Sequence, residues 1–170
     1  ITERPLADEA TSGNLSAAPI ADKSGQVTVE DAALMMVQFT NGAIGSFEAT
    51  RFATGRKNKL SFEIYGSKGS IAFDLERMNE LQFYNKEDPE EEQAFKTILV
   101  TAPSHPYMDH WWPPGHIIGY EHAFIHAVAD FITAIDEDKV ITPNFNDGLR
   151  ILKVLERGLE SAVTGKRLTV

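Results

Sequence analysis

KLSFEIYGSKGSIAFDL, residues 59 to 75, reads as two strands and the turn between them. Leu60, Phe62 and Ile64 alternate with Ser61 and Glu63, the period of two that sends successive side chains to opposite faces of a strand. Ser67-Lys68-Gly69 supplies the turn, and Ile71, Phe73 and Leu75 resume the apolar face on the return. One apolar face and one polar face is the pattern of an antiparallel sheet covered on one side.

A second hairpin precedes it. DAALMMVQF (31–39) and IGSFEATRF (44–52) are joined across Asn41-Gly42, the strongest short-range hairpin signal. DAALMMVQF is apolar on both sides, Leu34 and Met36 opposing Met35, Val37 and Phe39, so both faces call for cover by another domain or a second copy of the chain. Residues 7–28, ADEATSGNLSAAPIADKSGQVT, are small and polar and cannot offset the entropy of ordering by burial. They read as a long surface loop, so 1–28 is assigned to irregular structure and 29–170 to a single folded domain.

Toward the C-terminus, NELQFYN and AFKTILVTA add a fifth and a sixth strand, with the acidic run Glu87 to Glu92 as a solvated hairpin tip. After Gly119, the residues Phe124, Val128, Phe131, Ile132 and Ile135 recur at helical spacing until Asp136 to Asp138. A second helix is expected to begin at Asn146 or Asp147, both good N-caps. It carries Leu149, Leu152, Leu155 and Leu159 on one stripe and stops near Gly165. A short closing strand, KRLTV, follows. The fold class is α+β: a mostly antiparallel, open-faced sheet of about six strands with two C-terminal helices packed on one face.

Composition narrows the function. With 170 residues the chain is long enough for one sizeable core, and no apolar run approaches the length that crosses a bilayer. Sixteen Lys and Arg against 25 Asp and Glu give a formal charge of -9, a field that repels phosphate backbones and anionic headgroups. Neither nucleic acid nor membrane is an expected partner. The chain has no cysteine, which excludes disulfides and thiolate chemistry, and no signal peptide opens it, so cytoplasm is the default location. ITERPLADEA lacks an initiator methionine and reads as if cut from inside a longer polypeptide.

No GxGxxG and no GxxxxGK[ST] is present, and Gly66-Ser67-Lys68-Gly69 lies between two strands and opens no helix. His122 and His126 stand four apart with His116 nearby, but the glutamate of HExxH is missing and no third ligand is fixed, so no metal site is assigned. GxSxG is missing as well. What stands out is HWWPPGHIIGYEH, residues 110 to 122, which holds both tryptophans and three of the five histidines. Pro113-Pro114 stiffens it and Gly115 lets it turn. Trp111, Trp112 and Tyr120 offer flat apolar faces with one polar handle each, and His116 both donates and accepts hydrogen bonds. A polyhydroxylated ring needs those groups. The competing reading is a loop that plugs the sheet edge with its tryptophans as core filler, and pattern alone favours it.

The chain resembles the C-terminal domain of the Gfo/Idh/MocA family of NAD(P)-dependent dehydrogenases. The resemblance runs from about Val27 through NGAIGSFEATR, EIYGSKGSIAFD and PPGHIIGYEHAF to a last helix ending in TGK. It implies a parent enzyme with an N-terminal Rossmann domain, NAD or NADP as cofactor, hydride transfer at a hydroxyl-bearing carbon of a sugar, cyclitol or related polyol, and homo-oligomers formed through the open sheet. The dinucleotide fingerprint, the EKP segment and the Asp-x-x-x-His helix of the family are not in this chain, so it is expected to hold no catalytic residue, to bind no cofactor by itself and to be inactive alone. The resemblance brings the PPGH loop, with Trp112, His116 and Tyr120, and the strand carrying Arg51 toward the substrate. A free-standing carbohydrate-binding module and a pure oligomerisation domain are the other two readings.

Overall fold

The computed structural model describes residues 3–7 and 20–170, which fall into two compact units, Ile1–Gly55 and Arg56–Val170. In the first, β1 (Glu3–Ala7) pairs antiparallel with β2 (Ile20–Gln26), Glu3 opposite Gln26 and Pro5 opposite Ser24, with an irregularity before Ala7 meets Ile20. The segment expected to be loop therefore contains a strand. Ladder hydrogen bonds are made by the backbone and need no apolar side chain. Here Glu3 also accepts from Ser24 Oγ and Gln26 Nε2, and Leu6 lies where a Cβ on Gly25 would stand, 2.8 Å from its Cδ2. The remainder of the 1–28 assignment, residues 1–2 and 8–19, lies outside the described residues.

The expected first hairpin is formed by β3 (Ala32–Gln38) and β4 (Ile44–Thr50). Gly42 takes φ of 89°, a left-handed conformation costly for other residues, and the Asn41 carbonyl Oδ1 accepts from Ala43 N at 3.0 Å. Met35 faces Phe47 and Val37 faces Gly45, whose missing side chain leaves room for Val37 and the Phe39 ring. Leu34 and Met36 stand on the opposite face, 77% and 92% exposed.

The second unit holds an antiparallel sheet in the order β5 (Ser61–Tyr65), β6 (Gly69–Asp74), β7 (Glu80–Asn85), β8 (Lys96–Leu99). The alternation read from the sequence sets the register. Phe62 lies opposite Phe73, Ile64 opposite Ile71, Ile71 opposite Phe83 and Leu81 opposite Ile98, which gathers the apolar residues on one face. The other face pairs Glu63 with Ala72 and Gln82 with Thr97. Gly69 is required by close approach, since a Cβ there would sit 2.5 Å from the Tyr84 carbonyl oxygen.

Two helices complete the α+β class, α1 (Tyr120–Asp136) and α2 (Phe145–Thr164). The second starts earlier than expected because Asn144 is the N-cap: its Oδ1 accepts from Asn146 N at 2.8 Å while Asp147 Oδ2 accepts from Asn144 N at 2.9 Å. That reciprocal pair satisfies two N–H groups at once, which a cap at Asn146 would forgo. Gly165, left-handed at φ of 66°, ends the helix as expected. KRLTV joins no ladder among the described residues, and Ser161 Oγ donates to Lys166 O just past the cap. The apolar stripes, Val128 and Ile132 on α1 and Leu152 and Leu155 on α2, are exposed. On α1 the covered face is a different one, His122, His126 and Asp130.

Candidate functional site

What covers that face is the connection from β8 to α1. Among the described residues the two buried side chains, Thr101 and Met108, both lie in it, 2% and 3% exposed, so the loop carries a small core of its own. One residue closes it at both ends. The Asn79 carbonyl accepts from Val100 N at 2.9 Å, while the Asn79 side-chain amide donates to Ile118 O at 2.8 Å and accepts from Ile118 N at 3.0 Å. An asparagine side chain has the donor and acceptor of a peptide group, and here it pairs as a strand neighbour would. Asn79→Ala is expected to destabilise this unit by about 1 to 3 kcal/mol, since both Ile118 groups are part-buried and lose their partner. Urea unfolding of the variant checks this, and an unchanged midpoint would mean that water replaces the amide at no cost.

Inside the clamp, Thr101 Oγ1 accepts from Gly115 N at 3.1 Å and His105 Nδ1 accepts from Ala102 N at 3.1 Å. Tyr107 is left-handed at φ of 66°, uncommon for a residue with a side chain and retained where the surroundings over-determine it. Its ring stacks on His126, centroids 4.3 Å apart and planes within 9°, and its hydroxyl donates to Asp130 Oδ2 at 2.8 Å. That hydrogen bond, with lesser contributions from desolvation and the Asp130 charge, raises the phenol above its ordinary pKa. Trp111 Nε1–H donates to His126 Nε2 at 2.7 Å, and the indole edge meets His122 at 4.5 Å. His122 Nδ1 in turn accepts from Gly119 N at 3.0 Å, doing at the start of α1 what a glutamate does in the usual capping box.

The two tryptophans thus separate. Trp111 is extended, φ -114° and ψ -156°, and adjacent side chains in extended backbone leave on opposite sides. Trp111 is half-buried against the helix; Trp112 is 61% exposed. Trp111 thus fills a small core against α1, while Trp112 stands exposed. Gly115, at φ of 91°, turns the chain after Pro113-Pro114, and exposed His116 holds its Nδ1 2.9 Å from Pro113 O. A carbonyl only accepts, so Nδ1 carries a proton, and in the neutral ring Nε2 is then the acceptor. Tyr120 is exposed and meets Phe124 edge-on at 5.2 Å. Arg51 belongs to the first unit, where its side chain is exposed and its backbone N–H donates to Asp31 O beyond the end of β4.

Sequence reasoning passed over Tyr107, Asp130, Asn79 and the structural use of His126. One signal was present: His122, His126 and Asp130 recur every four residues, a polar stripe on a largely apolar helix. With the His126 Nε2 and His122 Nδ1 lone pairs already engaged by N–H groups, the two imidazoles brace the loop. The described residues contain no group of three His, Cys, Asp or Glu that would hold a metal.

An antiparallel sheet followed by a braced loop and two helices, the loop turning an indole and an imidazole outward, defines an α+β domain that presents a polar–aromatic surface. The chain belongs to the Gfo/Idh/MocA oxidoreductases: the profile described as oxidoreductase family, C-terminal alpha/beta domain, matches residues 8–170. A levoglucosan dehydrogenase from Pseudarthrobacter phenanthrenivorans is 39% identical over 163 residues, covering 95% of this chain and 42% of that protein. Among solved structures, an oxidoreductase domain protein from Kribbella flavida is 52% identical with a TM-score of 0.82, covering 84% of this chain and 38% of its own. A levoglucosan dehydrogenase in complex with NADH and levoglucosan is 41% identical with a TM-score of 0.80, covering 84% and 39%. The chain therefore spans about two fifths of the length of these relatives.

Proposed function

We propose that this chain is the substrate-side domain of an NAD(P)-dependent dehydrogenase that acts on a hydroxyl-bearing carbon of a sugar, cyclitol or related polyol. The observation that carries the reading is the braced loop, Trp112 and His116 exposed on a frame fixed from beneath, in a chain whose relative was solved with NADH and levoglucosan. A sugar ring stacks its C–H face on an indole and offers hydroxyls to an imidazole nitrogen. Trp112 is assigned the ring face, His116 Nε2 the acceptance of a hydrogen bond from one hydroxyl, and Tyr120 the rim. Arg51 is kept as a further substrate group on family resemblance. Orientation is the contribution of these groups, since hydride transfer needs the reacting carbon held at close range and in line. No acid or base role is assigned to them.

The dinucleotide does not fit the described residues. A pyrophosphate is held by backbone N–H groups where a glycine-rich turn opens a helix, and the Gly66–Gly69 turn instead joins β5 to β6. NAD or NADP is therefore assigned to the rest of the parent enzyme, and no step is routed through these residues. Calorimetry on the 170-residue chain is expected to give no measurable heat with either dinucleotide. A micromolar Kd for one of them would overturn this part of the proposal.

Self-association through the first hairpin is the second part. Leu34 and Met36 form a highly exposed apolar pair, and a symmetric contact between two copies removes both from water. Val37 lies on the half-covered face with Gly45, so Met36 is the residue to test. Met36→Glu is expected to shift the mass seen by light scattering toward monomer. An unchanged oligomer mass would place the interface elsewhere. No helix among the described residues is long and apolar enough to cross a membrane.

A further inference from the structure

The direction in which the loop presents its exposed side chains is set by a residue that does not reach the exposed face. His126 lies in α1 and is held on two sides, by the Tyr107 ring at 4.3 Å and by the Trp111 indole N–H at 2.7 Å. Asp130, one turn further along the helix, fixes Tyr107 in turn through the hydroxyl. If this were packing alone, any flat apolar side chain at 126 would serve. Two observations say otherwise. The Trp111 N–H is aimed at a ring nitrogen at a distance that only an acceptor tolerates, and Tyr107 adopts a left-handed backbone that brings its ring and hydroxyl to His126 and Asp130 together. Since Trp111 is extended, fixing its indole inward fixes Trp112 outward, with Pro113, Pro114 and His116 following on a stiff turn.

We propose that His126 is a positioning residue for substrate binding: by accepting the Trp111 indole N–H it sets where Trp112 and His116 stand, without itself meeting the substrate. The proposal rests on the reading of Trp112 and His116 as substrate groups, and its test separates the two.

In the full-length oxidoreductase, His126→Phe keeps a flat ring against Tyr107 but removes the acceptor, and His126→Gln restores an acceptor. His126→Phe is expected to raise KM for the polyol about ten-fold with kcat within about two-fold of the unchanged enzyme, and His126→Gln to recover most of that loss. With Trp112 and His116 both already replaced by alanine, His126→Phe is expected to add little, because its effect passes through those two side chains. In 15N–1H spectra of this chain, the Trp111 indole N–H is expected to be protected from exchange, to lose protection in His126→Phe and to keep it in His126→Gln. If Trp112→Ala raises KM and His126→Phe does not, the positioning role is overturned and the substrate reading stands. If neither variant moves kcat/KM, both fall. Should both His126 variants fail to fold, Trp111→Phe removes the donor from the other side of the same bond: a raised KM supports the proposal, an unchanged KM overturns it.

Discussion

On the proposed substrate reading, Trp112→Ala in the full-length oxidoreductase is expected to lower kcat/KM for a polyol substrate by about ten- to a hundred-fold, with folding stability within about 0.5 kcal/mol of the unchanged protein. The two halves of that expectation have different sources. Stability is spared because the indole is 61% exposed and its removal leaves no cavity. The rate falls because stacking and hydrogen bonds made to a bound ring orient the reacting carbon, and each contact of this kind contributes about 1 to 3 kcal/mol. His116→Ala is expected to act in the same direction through its Nε2. Steady-state kinetics and urea unfolding on the same samples decide the matter. A large stability loss with untouched kinetics would leave the exposed indole without a role.

The neighbouring residue is expected to behave in the opposite way. Trp111→Ala removes a half-buried indole, its edge contact with His122 and its hydrogen bond to His126, leaving the His126 Nε2 acceptor without its donor. Full truncation of a core tryptophan costs about 3 to 5 kcal/mol, and partial exposure reduces that here to about 2 to 3 kcal/mol. Two adjacent, chemically identical residues then give unlike signatures, one in unfolding and one in kinetics. Should Trp111→Ala cost less stability than Trp112→Ala, the inward and outward assignments would be reversed.

Most of the sheet was legible because its signal is local and strong. Phe62 and Ile64 alternate with polar residues, Ile71 and Phe73 do the same, and a turn with glycine on the correct side leaves one register that keeps both apolar sets together. The β1–β2 ribbon was illegible for the converse reason: its strands are far apart in sequence and largely polar, so nothing local announces the partner. The start of α2 was displaced because Asn144, Asn146 and Asp147 are all cap-type residues within four positions, and only geometry shows that Asn144 and Asp147 bond reciprocally. In the loop, composition singled out the segment but not its packing. Which of two consecutive tryptophans turns inward is decided by backbone direction and by a histidine fifteen residues away, and periodicity carries neither. The histidine–aspartate stripe on α1 was visible as text, but its meaning required the aromatic rings that cover it.

Asn79 makes the two ends of the loop independent of what lies between them. Because one residue binds the chain where it leaves β8 and again where it enters α1, the ends stay together whatever the length of the stretch, whose middle rests on α1 through Tyr107 and Trp111. Closing a longer loop across the same clamp costs only about 0.6 kcal/mol for each doubling of length. A loop that keeps Tyr107 and Trp111 on α1 is therefore free to lengthen elsewhere between Val100 and Ile118, with the Asn79 clamp unchanged.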